Sequence, residues 1–344
     1  MAASEGYPLL CLENPLLEKY GVKANDAILA EEKHMGLYED LLQNCNAKLI
    51  AGGAAQNTAR GAQYILPENS VVYIGCVGKD KYADTLREAG DKAGIRTEYR
   101  IDDVQPTGRC GVIITGHNRS LVTHLAAANE YKLDHLKQPE IWSLVEKAKF
   151  YFVGGFHLTV CVPAIMALAE EAAEKNKTFM LSLSAPFIPA FFKDPLDQVL
   201  PYTDYVVGNE SEALAFSESH GWGITDLGEI AKKMANLPKK NAQRPRIIII
   251  THGTEPTISA VADGNGGAEL KTTPIRKIPQ DEIYDTNGAG LINAASDAFA
   301  GGFCAGVVQG KSLDQCIDMG HWLANLSIRE LGPQYPFPKK TYTA

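Results

Sequence analysis

The stretch RIIIITHG at residues 246–253 constrains the fold more than any other. Four isoleucines in a row show no alternation of apolar and polar side chains. A strand with that pattern is covered on both faces, which happens chiefly in parallel sheets flanked by helices. KFYFVGGF (149–156) reads the same way. Around these lie VVYIGCVG (71–78), GVIITG (111–116), TFMLSLS (178–184) and DYVVGN (204–209), all rich in β-branched or aromatic residues. Helical patterns fill many of the gaps: KYADTLREAGDKAG (81–94), VPAIMALAEEAAEKN (162–176) and LGEIAKKMANL (227–237). Strand, helix, strand in repetition predicts parallel βαβ units in a doubly wound α/β sheet. Such sheets bind ligands beyond the carboxyl ends of their strands. Several predicted strands end in Gly or Asn, as in VGGF, VVGN and ITHG, so the chemistry is expected there.

With 344 residues, the chain suits one large α/β domain spanning 1–344 with a small appendage. The appendage is read from residues 15–50 and 98–130, where short β-branched runs are broken by QPTG and GHNRS. GHNRS between GVIIT and LVTHL predicts a hairpin turn, and the region a β lid. The net charge of −8 and the lack of a basic run argue against a nucleic-acid partner. Seven scattered cysteines without a CxxC pair predict reduced thiols, hence a cytoplasmic protein, with the nucleus as the alternative compartment. No apolar stretch approaches the ~20 residues that span a bilayer, so no membrane partner is expected.

Four motifs carry chemistry. In AGGAAQN (51–57) two glycines let backbone approach a ligand and the Asn can reach ribose hydroxyls. The plain alternative is a helix entry. In GNESEA (208–213), Asn209 and Glu212 are spaced to face the same side of a first helical turn. They suit the waters of a hydrated Mg²⁺, or equally a capping box. THG (251–253) ends an apolar strand and can border a nucleotide or form a plain βα turn. Finally, DTNGAG…DAFAGGF (285–303) offers glycine-flanked amides at a helix start, an anion hole for a phosphoryl group, with a carboxylate beyond to act as base. Tight packing of the helix start on the sheet is the alternative there. No GxxxxGK[ST] P-loop occurs.

Taken in order, NPLL, NDAILAEEKH, AGGAAQN, QPTGRCGVIITGHNRSLVTHLAAAN, GGFHLTV, LSLSAPF, GNESEA and YDTNGAG…DAFAGGF resemble the ribokinase (PfkB) family of sugar and nucleoside kinases. Within it, NDAILAEEKH, NRSLVTHLAAAN and LSAPF are similar to eukaryotic adenosine kinases of fungal type. The resemblance implies a three-layer α/β/α sandwich with a mainly parallel central sheet and a β lid, usually monomeric. It implies transfer of phosphate from ATP to the adenosine 5′-hydroxyl, with Mg²⁺, in purine salvage. Carried over by motif, Asp297 is the base, and the Gly288, Ala289 and Gly290 amides hold the phosphoryl group, with Arg119 meeting phosphate. Asn14, Gly52, Gly53 and Asn57 would contact ribose; Leu29, Leu125, Ala127 and Phe156 would line the adenine pocket. Asn209 and Glu212 would serve Mg²⁺, and Asn209, Thr251, Gly253, Asn287, His321 and Asn325 would border ATP.

Two departures from the family pattern fall at this site. LINAAS (291–296) separates Gly290 from Asp297, which the family keeps adjacent. If helical, six added residues shift Asp297 by about 9 Å along and about 240° around the axis. If they bulge as a loop, AASD replaces GAGD at the helix start, with alanines covering the backbone. After NPLL about ten residues are missing relative to the family, including an Asp that grips ribose. Glu18 takes that place by count but fits better in the next helix. The first departure would weaken catalysis, and the second nucleoside affinity. The alternative functions are an inactive nucleoside- or nucleotide-binding homologue with a regulatory role, and a kinase of another nucleoside or sugar.

Overall fold

A computed structural model of the chain describes residues 15–24, 27–45, 47–115, 118–279, 291–330 and 332–343. The chain divides into two compact units, one drawn from 1–130, 277–305 and 319–344, the other from 131–276 and 306–318.

The first unit holds β1 (Ala27–Leu29), β2 (Val72–Gly78), β3 (Arg96–Asp102), β4 (Arg109–Thr115) and β5 (Asn118–His124). β4 and β5 form the hairpin expected from GHNRS, antiparallel and closed by the pair Thr115 and Asn118. β1 adds in parallel along the free side of β5. One face of this three-stranded sheet is covered by the helix Leu37–Asn44: Leu37 and Leu41 pack with Tyr20, Val22, Ile113 and Val122. β2 and β3 pair in parallel as a separate ladder. The helix Lys81–Ala93 joins them, capped by the Asp80 carboxylate, which accepts from the Tyr82 and Ala83 amides.

Three further helices, Ala54–Ile65, Leu291–Val308 and Leu313–Ile328, are drawn together by glycines. A Cβ on Gly301 would lie 2.7 Å from the Thr58 carbonyl oxygen and 3.0 Å from the Gly61 Cα. A Cβ on Gly302 would lie 2.4 Å from the Met319 carbonyl oxygen. The adjacent glycines of AFAGGF therefore admit one neighbouring helix each. Because the obstructing atoms are backbone, Gly301→Ala must push two helices apart. It is expected to lower unfolding free energy by about 1–3 kcal/mol. Gly52→Ala, whose Cβ would meet nothing within 4 Å, should change it by under about 0.5 kcal/mol. Urea denaturation of both variants checks the contrast.

The second unit contains β6 (Phe150–Gly154), β7 (Thr178–Ser182), β8 (Tyr205–Asn209), β9 (Ile247–His252), β10 (Glu255–Ala262) and β11 (Ala268–Thr273). They form one sheet in the order β11-β10-β9-β8-β7-β6. β6 to β9 are mutually parallel, and β10 and β11 extend the sheet antiparallel. In β9, Ile248, Ile249 and Ile250 are each at most 1% exposed, so successive residues are buried on both faces, as the unbroken apolar run requires. Arg246 anchors the start of this strand. Its guanidinium is buried and donates to the Leu200, Leu237 and Pro238 carbonyls and the Thr203 hydroxyl. Those acceptors let a cation sit in a core where an unsatisfied one would be costly.

Candidate active site

Two of the motifs meet within the first unit. Asn57 Nδ2 donates to Asp297 Oδ2 at 2.9 Å across a sequence separation of 240 residues. The bond follows from the glycine contact. Gly61 and Gly301 touch, and one turn earlier on each helix stand Asn57 and Asp297. Asn57 Oδ1 is buried without a hydrogen-bond partner among the described residues. An orphaned buried acceptor costs free energy unless something donates to it.

The helix carrying Asp297 begins at Leu291, so residues 291–296 are helical and Asp297 is its seventh residue. Of the two arrangements left open by the sequence, the extended helix is the one found, and AASD is not a helix start. Amides from Ala295 onward lie beyond the first four helical residues and have intrahelical acceptors; only the first four lack them. Asn14, Asn287, Gly288, Ala289 and Gly290 lie outside the described residues. Arg119 pairs with Ile114 in the β4–β5 ladder; its side chain lies outside the description.

Gly53 precedes the helix Ala54–Ile65 at φ 101°, a conformation that L side chains rarely adopt. Neither Gly52 nor Gly53 has an atom within 4 Å of where a Cβ would sit. The loop is therefore open at both glycines. It is tied down by Arg60, whose Nη1 donates to the Ala51 carbonyl at 3.3 Å. Tyr335 also belongs to this neighbourhood: its hydroxyl oxygen would lie 2.6 Å from a Gly61 Cβ. Burial, then the Asp297 charge, raises its phenol above the usual range. It remains a neutral group beside the carboxylate. No sequence signal singled out Arg60 or Tyr335.

Leu29 is 51% exposed on β1, on the sheet face opposite the helix Leu37–Asn44, since its neighbours Ile28 and Val122 pack under that helix. Leu125 is half-buried, and its carbonyl lies 2.7 Å from where a Cβ on Gly108 would be. Ala127 is fully buried, while Ala126 is held at φ 45°. Strained non-glycine backbone of this kind gathers at functional sites. Glu18 is exposed on the helix Pro15–Tyr20, as its better fit to a helix anticipated. His321 is buried with its ring 5.3 Å from that of Phe299, and Asn325 follows one turn later.

The second unit carries the remaining residues at strand ends. Asn209 and Thr251 are register partners at the ends of β8 and β9. Thr251 Oγ1 donates to the Gly208 carbonyl at 3.4 Å. Asn209 Oδ1 accepts from the Glu212 amide at 2.9 Å, and Glu212 Oε2 accepts from the Asn209 amide at 3.0 Å. The capping box is thus formed. Gly208 leaves room for the carboxylate, since a Cβ there would be 3.0 Å from Glu212 Oε2. With both side chains bonded at the helix start, the pair suits a hydrated Mg²⁺ touched through its waters, not a directly ligated ion. Among the described residues no cluster of three or more acidic, His or Cys side chains could hold a metal. Gly253, at φ 54°, turns β9 into β10, so THG closes a β-hairpin and not a βα turn. Phe156 stands with its ring 5.9 Å from Phe187. Ser184, at φ 67°, accepts the Gly155 amide at 2.8 Å and fixes the turn that carries Phe156.

Burial pushes the Glu212 carboxyl up from 4.5 to about 7. A raised acid pKa favours folding most below the unfolded value, and that contribution is lost as pH rises through the folded value. Without divalent cations, the wild type should therefore lose up to roughly 3 kcal/mol between about pH 4.5 and pH 8 that Glu212→Gln does not lose. Thermal unfolding of both proteins across that range checks the difference.

Residues 14–340 match the family model described as pfkB family carbohydrate kinase. Adenosine kinase of Schizosaccharomyces pombe is 47% identical over 349 residues, covering 98% of this chain and 98% of its own length. Adenosine kinase of Saccharomyces cerevisiae is 46% identical, covering 98% and 99%. Among solved structures, Anopheles gambiae adenosine kinase in complex with P1,P4-di(adenosine-5) tetraphosphate superposes with a TM-score of 0.85 at 41% identity, covering 91% of this chain and 89% of that one. No helix among the described residues is long and apolar enough to cross a membrane.

Proposed function

The chain belongs to the pfkB family of carbohydrate kinases, and on that premise we propose that it is an adenosine kinase, transferring the terminal phosphoryl group of ATP to the 5′-hydroxyl of adenosine to give AMP and ADP. The observation that carries this reading is the Asn57–Asp297 hydrogen bond. It joins the motif assigned to ribose with the carboxylate assigned to the ribose 5′-hydroxyl. A nucleoside bound at Gly52, Gly53 and Asn57 would present that hydroxyl to Asp297, which removes its proton as the phosphorus–oxygen bond forms. The Asn57 donor keeps Asp297 oriented for this step. The orphaned Asn57 Oδ1 suits a sugar hydroxyl as donor.

By motif, Leu29, Leu125 and Ala127 of the first unit, and Phe156 of the second, are each assigned an apolar contact with the base. The amides of Gly288, Ala289 and Gly290, with Arg119, would balance charge on the phosphoryl group. The motif carry-over further assigns Asn14 to ribose, and Asn209, Thr251, Gly253, Asn287, His321 and Asn325 to ATP. Mg²⁺, held through water by Asn209 and Glu212, would neutralise phosphate charge. Catalysis of phosphoryl transfer is mostly positioning and charge stabilisation, the roles these residues are assigned. Residues 15–50 and 98–130 are assigned as the lid that excludes water as a competing acceptor.

Ligand-induced stabilisation tests the substrate class. Adenosine should raise the melting temperature in proportion to ln(1 + [L]/Kd), while ribose at the same concentration should not. A shift with ribose and none with adenosine would overturn the assignment.

A further inference from the structure

The face of the three-stranded sheet opposite Leu29 carries a second cluster. Arg109 opens β4 and His124 ends β5, and the two are register partners, so their Cβ atoms are neighbours across the ladder at about 5 Å. The side chains lie on the helix-covered face. Gly111, two residues after Arg109, would place a Cβ 3.1 Å from Leu41, and Val122, two residues before His124, packs in the same core. The guanidinium carbon of Arg109 sits 4.7 Å from the Tyr38 ring centre and 5.9 Å from that of Tyr82. The His124 ring is 6.4 Å from that of Tyr38. The Tyr38 hydroxyl is already committed to the Val122 carbonyl.

Two polar atoms in this cluster stand unanswered. Arg109 Nε and His124 Nδ1 are both buried with no hydrogen-bond partner among the described residues. Neither side chain has a carboxylate partner among them either. A cation and an imidazole placed side by side repel once the imidazole is protonated, and both lack an acceptor. A protein that only needed to fill this space would meet the cost of two buried unsatisfied nitrogens for nothing. Arg109 as a whole is only half-buried, so its outer nitrogens remain accessible. The planar donors of a guanidinium match the oxygens of a phosphoryl or sulfate group.

We propose that Arg109 and His124 form a binding site for a tetrahedral oxyanion, inorganic phosphate or the phosphoryl group of a small ester, on the helix-covered face of the lid sheet. Tyr38 and Tyr82 hold the guanidinium in place. The titratable and charged groups around His124 are Arg109 and Cys110 on β4, Tyr38 on the helix Leu37–Asn44 and, beyond Arg109, Tyr82. Burial and then Arg109 hold the His124 pKa below its usual value in the anion-free protein. A bound anion reverses that balance, so binding takes up a proton and tightens as pH falls.

Sulfate, which does not titrate in this range, is the probe. It is added at constant ionic strength against chloride, at about pH 6 and about pH 8. In the wild type, sulfate should raise the melting temperature more at the lower pH. In Arg109→Ala its affinity should fall at least about tenfold. His124→Gln should lose the pH dependence. The direct readout, independent of any effect of substitution on the fold, is the imidazole resonance of His124 in the unaltered protein, assigned among the eight histidines. Sulfate should shift it and raise its titration midpoint. Inorganic phosphate and glucose 6-phosphate in parallel arms tell the free anion from a phosphate ester, and binding of either supports the site. The proposal fails if sulfate stabilises wild type and Arg109→Ala equally with the His124 resonance unmoved, the pattern of general salting or of an anion held elsewhere.

Discussion

Asp297→Asn is expected to lower kcat for AMP formation by about 10²- to 10⁴-fold, the usual contribution of a positioned general base. The substitution is nearly isosteric. An amide oxygen can still accept from Asn57 Nδ2, so the contact that sets the side chain survives. The helix packing one turn away, through Gly301 and Gly61, is untouched. Melting temperature and KM for adenosine should therefore change little while kcat collapses. That split separates loss of a proton acceptor from loss of fold. A variant within threefold of wild type would show that another group removes the 5′-hydroxyl proton.

The second large effect concerns residues 291–296. They form the first turns of the helix that carries Asp297. They lift its free amides by about 1.5 Å per residue away from the carboxylate. Two contacts hold Asp297 independently of that extension: the Asn57 bond and the Gly301–Gly61 approach. Deleting 291–296 joins Gly290 directly to Asp297 and restarts the helix there, so the glycine-flanked amides face the same phosphoryl group as the base. The deletion is expected to raise kcat by about 10²-fold, because a displacement of even ~1 Å in such a constellation costs that much. Steady-state kinetics on the shortened protein measure this. A loss of activity with the fold intact would mean that the amides of residues 291–294 are the ones that serve the phosphoryl group.

Much of this architecture is legible in the sequence, for identifiable reasons. RIIIITHG has no alternation because β9 is buried on both sides, and GHNRS closes a hairpin because only two residues, 116 and 117, separate β4 from β5. The β10–β11 hairpin was not legible. EPTISAVA opens with Glu and Pro, and AELKTT is an exposed edge strand whose burial gives it no apolar pattern. Local chemistry was also ambiguous where two physical roles use the same residues. Asn209 and Glu212 satisfy a capping box and suit a water-held cation alike. The pairing of Asn57 with Asp297 depends on where two glycines let helices touch. No spacing rule reaches across that distance, so only the family resemblance linked the two motifs before the structure did. Arg60 and Tyr335 carry no motif at all; burial and proximity alone mark them.

The measurement that tests the central claim most directly is AMP formation from labelled adenosine, ATP and Mg²⁺ by the purified full-length protein, with Asp297→Asn run beside it. The adenosine kinase assignment predicts AMP and ADP in equal amounts, at a rate at least about 10²-fold above the variant. AMP no faster from the folded wild type than from Asp297→Asn would contradict it.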